Sequence, residues 1–133
     1  MTAAICSLAL WAIVQSACLE YDLPAESVYS LILAESNGDP DAVGDDGKAL
    51  GLAQFHEGTF RWMAEMYGTV YQWPDDALDP DKAVRLLCMA LDDGRAAHWR
   101  GWRRMSFQLV PRRSHRMWWL ATEAELGMLG VRP

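Results

Sequence analysis

Hydrophobic positions recur along this chain with helical spacing, which predicts a mainly helical protein with little strand. A first helix covers the apolar N-terminal stretch and ends near Tyr21, and a second begins at Pro24, a residue favoured at the first helical position. Apolar stripes at i, i+3, i+4 and i+7 predict a third helix from about Thr59 to Tyr67 and a fourth over residues 79 to 94.

The second helix carries an acidic residue on its apolar face. Val28, Leu31 and Ile32 form a stripe at i, i+3 and i+4, and the i+7 position is Glu35. At 100° per residue, Glu35 lies about 20° from Val28 around the helix axis. Asn37-Gly38 is a typical helix end. The pattern therefore places a carboxylate on the buried face, close to the helix C-terminus.

Two physical effects predict a raised pKa for the Glu35 carboxyl. Partial burial and the negative end of the helix dipole both disfavour its charged form. A raised carboxyl pKa is what a general acid working near neutral pH requires. The alternative is a glutamate that bends out to solvent at the end of an ordinary surface helix.

Residues 37–50 form a turn-rich loop with four aspartates. An EF-hand reading fails, because Ala42 stands where the turn glycine belongs and Lys48 where the bidentate glutamate belongs. The aspartates are typical turn formers and caps. Alternatively, Asp45 or Asp46 serves as the second carboxylate of a glycosidase-type pair.

The composition describes one globular domain with a divided charge. The chain has 133 residues, is 51% hydrophobic and carries a net charge of −6, which excludes disordered and low-complexity classes. Residues 1–93 hold 16 acids and 4 bases, whereas residues 94–133 hold 2 acids and 8 bases. The basic end either neutralises the acidic body or contacts a polyanion, although the acidic total argues against a nucleic-acid binder.

The cysteines and histidines predict neither a metal site nor a cofactor. Cys6, Cys18 and Cys88 are an odd number and have no metal-ligand spacing, and none of the three histidines lies near a cysteine at such a spacing. Buried free thiols are the expected state.

The N-terminus has two interpretations. Residues 1–19 contain no charged side chain and would span roughly 28 Å as a helix. They form either a buried first helix of the domain or an export or anchor segment. The stretch lacks the basic region of a signal peptide and is interrupted by polar residues, so no convincing signal peptide is predicted.

Two motifs carry a resemblance to a known superfamily. Glu35-Ser36-Asn37-Gly38-Asp39-Pro40-Asp41-Ala42-Val43 is followed by Gly51-Leu52-Ala53-Gln54-Phe55 and Thr59. This order and spacing resemble the soluble lytic transglycosylases and goose-type lysozymes, and residues 79–102 more loosely resemble short phage-type members. The resemblance implies a lysozyme-like α+β fold with minimal strand, forming a single compact helical domain with a catalytic cleft over residues 1–104. A basic helical extension over 105–133, with its last helix capped by Ser114, is expected to pack on it.

The resemblance also implies a reaction. It is cleavage of the bond between N-acetylmuramic acid and N-acetylglucosamine in peptidoglycan, with Glu35 as general acid and then base, forming 1,6-anhydromuramyl ends. Ser36 and Gln54 would bind substrate, or else bond only to nearby backbone. The alternatives are a hydrolytic muramidase that uses Glu35 with Asp45 or Asp46, and a non-catalytic wall-binding or virion structural protein.

Aromatic side chains are candidates for stacking on sugar rings. Those favoured for substrate binding are Tyr29, Phe55, Tyr67 and Trp73, the last because Pro74 and two aspartates put it in a loop. The expected partners are the glycan strands of peptidoglycan at the cell wall and an anionic wall polymer that binds the basic C-terminal segment. The protein is expected to be a monomer.

Overall fold

The computed structural model describes residues 6–94. The predicted extension over 105–133, its last helix and the basic surface proposed for it lie outside the described residues.

Four helices and a small sheet make up this part of the chain, which confirms the prediction of a mainly helical fold with little strand. The elements are α1 (Ser7–Tyr21), α2 (Ala25–Ser36), β1 (Val43–Gly44), β2 (Ala49–Leu50), β3 (Phe55–His56), α3 (Glu57–Met66), a short 3-10 helix (Asp75–Ala77) and α4 (Pro80–Asp92). The strands are antiparallel in the order β1-β2-β3, and Leu50 pairs with Val43 on one side and Phe55 on the other.

The helix ends follow the local sequence signals. α2 ends at Asn37, which adopts a left-handed conformation with φ 57° and donates its backbone N–H to the Leu33 carbonyl. α4 begins after Asp79, whose carboxylate accepts the backbone N–H of Lys82 at 2.9 Å. α3 begins two residues earlier than predicted, at Glu57.

The apolar N-terminal stretch packs as a domain helix. α1 contacts α4 and α2, and Leu10, Val14 and Ala17 are buried between them. The opposite face of α1 leaves Leu8 and Leu19 exposed. None of the helices in residues 6–94 is long and apolar enough to cross a membrane.

The cysteines of the core are free thiols. Cys18 of α1 and Cys88 of α4 are buried, whereas Cys6 is exposed. Donation of a hydrogen bond to Cys18, together with burial, raises the pKa of the Cys88 thiol. Within residues 6–94, no group of three or more His, Cys, Asp or Glu side chains is placed to hold a metal ion.

An aromatic cluster joins the sheet, α3 and the segment before α4. Phe60 of α3 is fully buried, with its ring centroid 5.4 Å from that of Phe55 and 5.5 Å from that of Trp73. These contacts hold the loop that contains Trp73 against the end of the sheet. They also fix one wall of the depression described below.

Asp76 holds the same loop from the other side. Its carboxylate accepts the backbone N–H of Gln72 at 2.7 Å and the Lys82 ammonium at 3.1 Å. The backbone hydrogen bond from Gln72 is the largest effect and lowers the pKa of the Asp76 carboxyl. Burial, the next largest effect, raises this pKa, and the hydrogen bond from Lys82 lowers it further, so the net shift is downward. The charged carboxylate therefore stabilises the turn.

We expect Asp76→Asn to lower the free energy of unfolding by about 1 kcal/mol at pH 7, because it removes a charged acceptor. The pKa of Asp76 is lowered in the folded protein, so its contribution is present above the unfolded value of 3.8 and is lost as pH falls through the folded value. Urea unfolding at neutral and acidic pH checks this. A difference between the two proteins that stays constant down to the lowest pH would contradict it.

Candidate active site

Glu35 lies where the buried face of α2 reaches the surface. Val28, Leu31 and Ile32 on the preceding turns are fully buried, whereas Glu35 is half-buried. It is the second-last residue of the helix, so the negative end of the helix dipole acts on its carboxylate. This position combines partial desolvation with access for a ligand.

The Ser36 hydroxyl forms hydrogen bonds to backbone groups at the end of α2. It donates to the Ile32 carbonyl at 3.0 Å and accepts the backbone N–H of Gly38 at 3.3 Å. The side chain is buried. These local bonds hold the turn that follows Glu35 in place.

Gln54 ties two loops together. Its side-chain amide donates to the Ala42 carbonyl at 3.2 Å and to the Gly51 carbonyl at 3.0 Å. The residue itself adopts a left-handed conformation, with φ 54°. A Cβ atom at Gly44 would lie 2.4 Å from the Gln54 Oε1 atom, so the glycine at this strand position leaves room for the amide.

We expect Gln54→Ala to lower the free energy of unfolding by about 1–2 kcal/mol, because two carbonyl groups lose a half-buried donor. Chemical denaturation measures the change. Gln72→Ala is the matched control, since the Gln72 amide is exposed and makes one bond, to the Val70 carbonyl at 3.3 Å. Equal losses in the two variants would contradict a linking role for Gln54.

The two candidate second carboxylates lie in the turn between β1 and β2. Asp45 forms an ion pair with His56 of β3, with 3.0 Å between Asp45 Oδ2 and His56 Nε2. Asp46 is exposed. Both residues have positive φ, 53° and 56°, which aspartate tolerates in turns. The pair holds the turn to β3 when His56 is protonated.

The four candidate stacking aromatics occupy different environments. Phe55 is 2% exposed and its ring is part of the core. Tyr29 packs edge-on against Trp11 at 5.3 Å, and the Tyr67 hydroxyl donates to Asp93 at 3.0 Å. Trp73 is half-buried and lines a depression in the surface.

This depression has a volume of about 520 Å³ and brings together segments that are far apart in the chain. It is lined by Gly47, Lys48, Leu50, His56, Glu57, Gly58, Trp73 and Pro74. Sequence reasoning selected only Trp73 from this set. The Asp46-Gly47 dipeptide is a typical hairpin turn signal, and it could have located the turn that contributes Lys48.

The comparisons with known proteins bear on the region that contains these residues. The family model described as the transglycosylase SLT domain matches residues 12–93, more than half of the chain. The chain belongs to this family. The matched region of the SLT domain includes Glu35, Ser36 and Gln54, together with most of α1 and the whole of α2, α3 and α4.

A solved structure supports the fold of this SLT domain. The chain is similar to the lytic transglycosylase Slt from Pseudomonas aeruginosa, solved as an inactive mutant, with a TM-score of 0.59 and 18% identity. The match covers 84% of this chain but 20% of that one, so the chain spans about a fifth of the length of that protein. No curated protein matches the sequence significantly.

Proposed function

We propose that this SLT domain is a peptidoglycan lytic transglycosylase in which Glu35 is the general acid and base. Membership of the transglycosylase SLT family is the observation that carries the proposal. The similar structure from Pseudomonas aeruginosa is that of a lytic transglycosylase whose inactive mutant replaces a glutamate with glutamine. The substrate is the β-1,4 bond between N-acetylmuramic acid and N-acetylglucosamine.

In the proposed reaction, one carboxyl group carries the proton in both directions. Glu35 donates its proton to the glycosidic oxygen as the bond to the anomeric carbon breaks, and the N-acetylglucosamine end leaves as an alcohol. The acetamido oxygen of the muramyl sugar supports the positive charge that develops at the anomeric carbon. The Glu35 carboxylate then accepts the proton of the muramyl 6-hydroxyl, whose oxygen bonds to the anomeric carbon. The acid is regenerated and no water is consumed.

The environment of Glu35 supports this role. A half-buried carboxylate at a helix C-terminus is held where partial desolvation and the dipole favour its protonated form. A protonated carboxyl is the state from which catalysis starts. The raised pKa of Glu35 stays a prediction, which the pH dependence of the rate tests.

Ser36 and Gln54 are proposed as the residues that position the catalytic group and the substrate. The hydrogen bonds of Ser36 hold the end of α2, and those of Gln54 connect the residue that precedes β1 to the turn before β3. Each side chain thus fixes backbone next to Glu35 or next to the sheet. Ligand contacts would use the remaining acceptor capacity of the serine hydroxyl and the glutamine oxygen.

A hydrolytic reaction through Glu35 and one of the two turn aspartates would consume water, whereas the proposed reaction consumes none. We expect that cleavage in water labelled with heavy oxygen leaves the new muramyl ends unlabelled, as mass spectrometry of the products can determine. Incorporation of the label at every new reducing end would contradict the transglycosylase proposal and would support a muramidase. A water-positioning Asp45 would then need to leave its ion pair with His56.

A further inference from the structure

The depression beside Trp73 is formed by three separate stretches of the chain. They are the turn between β1 and β2 with part of β2, the junction of β3 and α3 at residues 56–58, and Trp73-Pro74. Its volume of about 520 Å³ lies within the range of about 300–1,000 Å³ that is usual for ligand sites. Glu35 is not among its lining residues. The depression would therefore hold a part of the substrate other than the bond that is cleaved.

The depression contains a lysine that differs from the other basic residues of the described chain. Arg61, Lys82 and Arg85 each form an ion pair with a carboxylate. Lys48 is exposed and forms no ion pair within residues 6–94. It therefore offers a positive charge to the depression, in a region, residues 1–93, that holds 16 acids and only three other bases.

Two acidic residues beside Lys48 have other partners. Asp45 pairs with His56 at 3.0 Å, and Glu57 pairs with Arg61 at 2.8 Å. The ammonium group of Lys48 is thus the charged donor that a ligand carboxylate would meet in this depression.

Other residues that line the depression are apolar. The Trp73 ring is held by Phe60, and Pro74 and Leu50 continue the apolar surface. At Gly47 and Gly58, the position of a Cβ atom has no other heavy atom within 4 Å, so backbone is accessible there. A ligand that fits has a carboxylate next to apolar C–H or methyl groups.

We propose that this depression binds the carboxylate-bearing substituent of the muramyl sugar, with Lys48 as its charge partner. The inference rests on the proposed function, because it takes the substrate to be a glycan strand of peptidoglycan. In such a strand the carboxylate comes from the lactyl group of a bare muramyl sugar or from the peptide that is attached to it. N-acetylglucosamine carries no carboxylate, so Lys48 would distinguish the two sugars and set the register of the strand.

The test measures binding of three tetrasaccharides by calorimetry, in a Glu35→Gln background so that the ligands are not consumed. The first is chitotetraose, which has no carboxylate. The second alternates N-acetylglucosamine with muramic acid that has a free lactyl group, and the third carries peptide stems on the same muramyl sugars. Lys48→Met and Lys48→Arg are compared with the parent, and Arg85→Met is the control for loss of a positive charge elsewhere, because Arg85 pairs with Glu20 and Asp81 and does not line the depression.

We expect Lys48→Met to weaken binding of the carboxylate ligands about tenfold and to leave chitotetraose binding unchanged. Lys48→Arg and Arg85→Met should bind as the parent does. A loss with both carboxylate ligands, or with either one, supports the proposal and identifies the source of the carboxylate. Unchanged binding of both carboxylate ligands, an equal loss with chitotetraose, or no binding of them by the parent overturns it.

Turnover by the protein with Glu35 intact separates this inference from the proposed function. Cleavage of strands together with unchanged binding in Lys48→Met would overturn the role of Lys48 alone. Lys48-dependent binding of carboxylate ligands without any cleavage would overturn the proposed reaction alone.

Discussion

Glu35→Gln should reduce the rate of peptidoglycan cleavage by about 10³-fold, within the 10²–10⁴-fold range that general acid–base catalysis contributes. Glutamine keeps the size and hydrogen-bonding shape of the side chain but cannot donate and recover the proton. Since Glu35 is half-buried at the end of α2, we expect the melting temperature to change little. Release of soluble muropeptides from purified cell walls measures the rate.

Glu26→Gln is the matched control for this prediction. Glu26 lies in the first turn of the same helix and is exposed, so the same chemical change there should leave the rate unchanged. If the protein and its Glu35→Gln variant release muropeptides equally, or if neither releases any, the enzyme proposal is wrong. A non-catalytic wall-binding or structural role would then be favoured.

Gly51→Ala should lower the free energy of unfolding by about 3 kcal/mol or more, the largest effect on stability that we expect. Gly51 has φ 82°, and a Cβ atom there would lie 2.0 Å from the backbone oxygen of Ala77. Ala77 is fully buried in the 3-10 helix, so its carbonyl cannot move aside as a flexible side chain could. Urea denaturation measures the change.

Gly47→Ala separates steric overlap from backbone strain. Gly47 has a similar φ of 87°, but nothing lies within 4 Å of a Cβ atom at that position. The expected cost is about 1 kcal/mol, from the left-handed conformation alone. Should both variants lose the same stability, the close approach of Gly51 to Ala77 would not be the cause.

The helices could be predicted because their signals are local. The stripe of α2 and its end at Asn37 are contained within a dozen residues, and they place Glu35 at the edge of the buried face. The cap of α4 at Asp79 is equally local. The family resemblance added the expectation of a small amount of strand. Periodicity alone could not predict strands of two residues.

The surroundings of the candidate site depend on contacts between distant segments. The sequence suggested both Phe55 and Trp73 as stacking residues and favoured Trp73 for its place in a loop. The fold buries Phe55 against Phe60 and leaves Trp73 half-buried beside the depression. The pairing of Asp45 with His56 depends on the register of the hairpin. No local pattern reports such contacts, so Lys48 gained a candidate role only from the tertiary structure.

The chemical nature of the new glycan ends tests the central claim most directly. Mass spectrometry of muropeptides released from purified walls should find 1,6-anhydromuramyl ends, each one water lighter than a reducing end, with the intact protein and not with Glu35→Gln. Reducing ends alone, or anhydro ends formed at the same rate by Glu35→Gln, would contradict a transglycosylase that acts through Glu35.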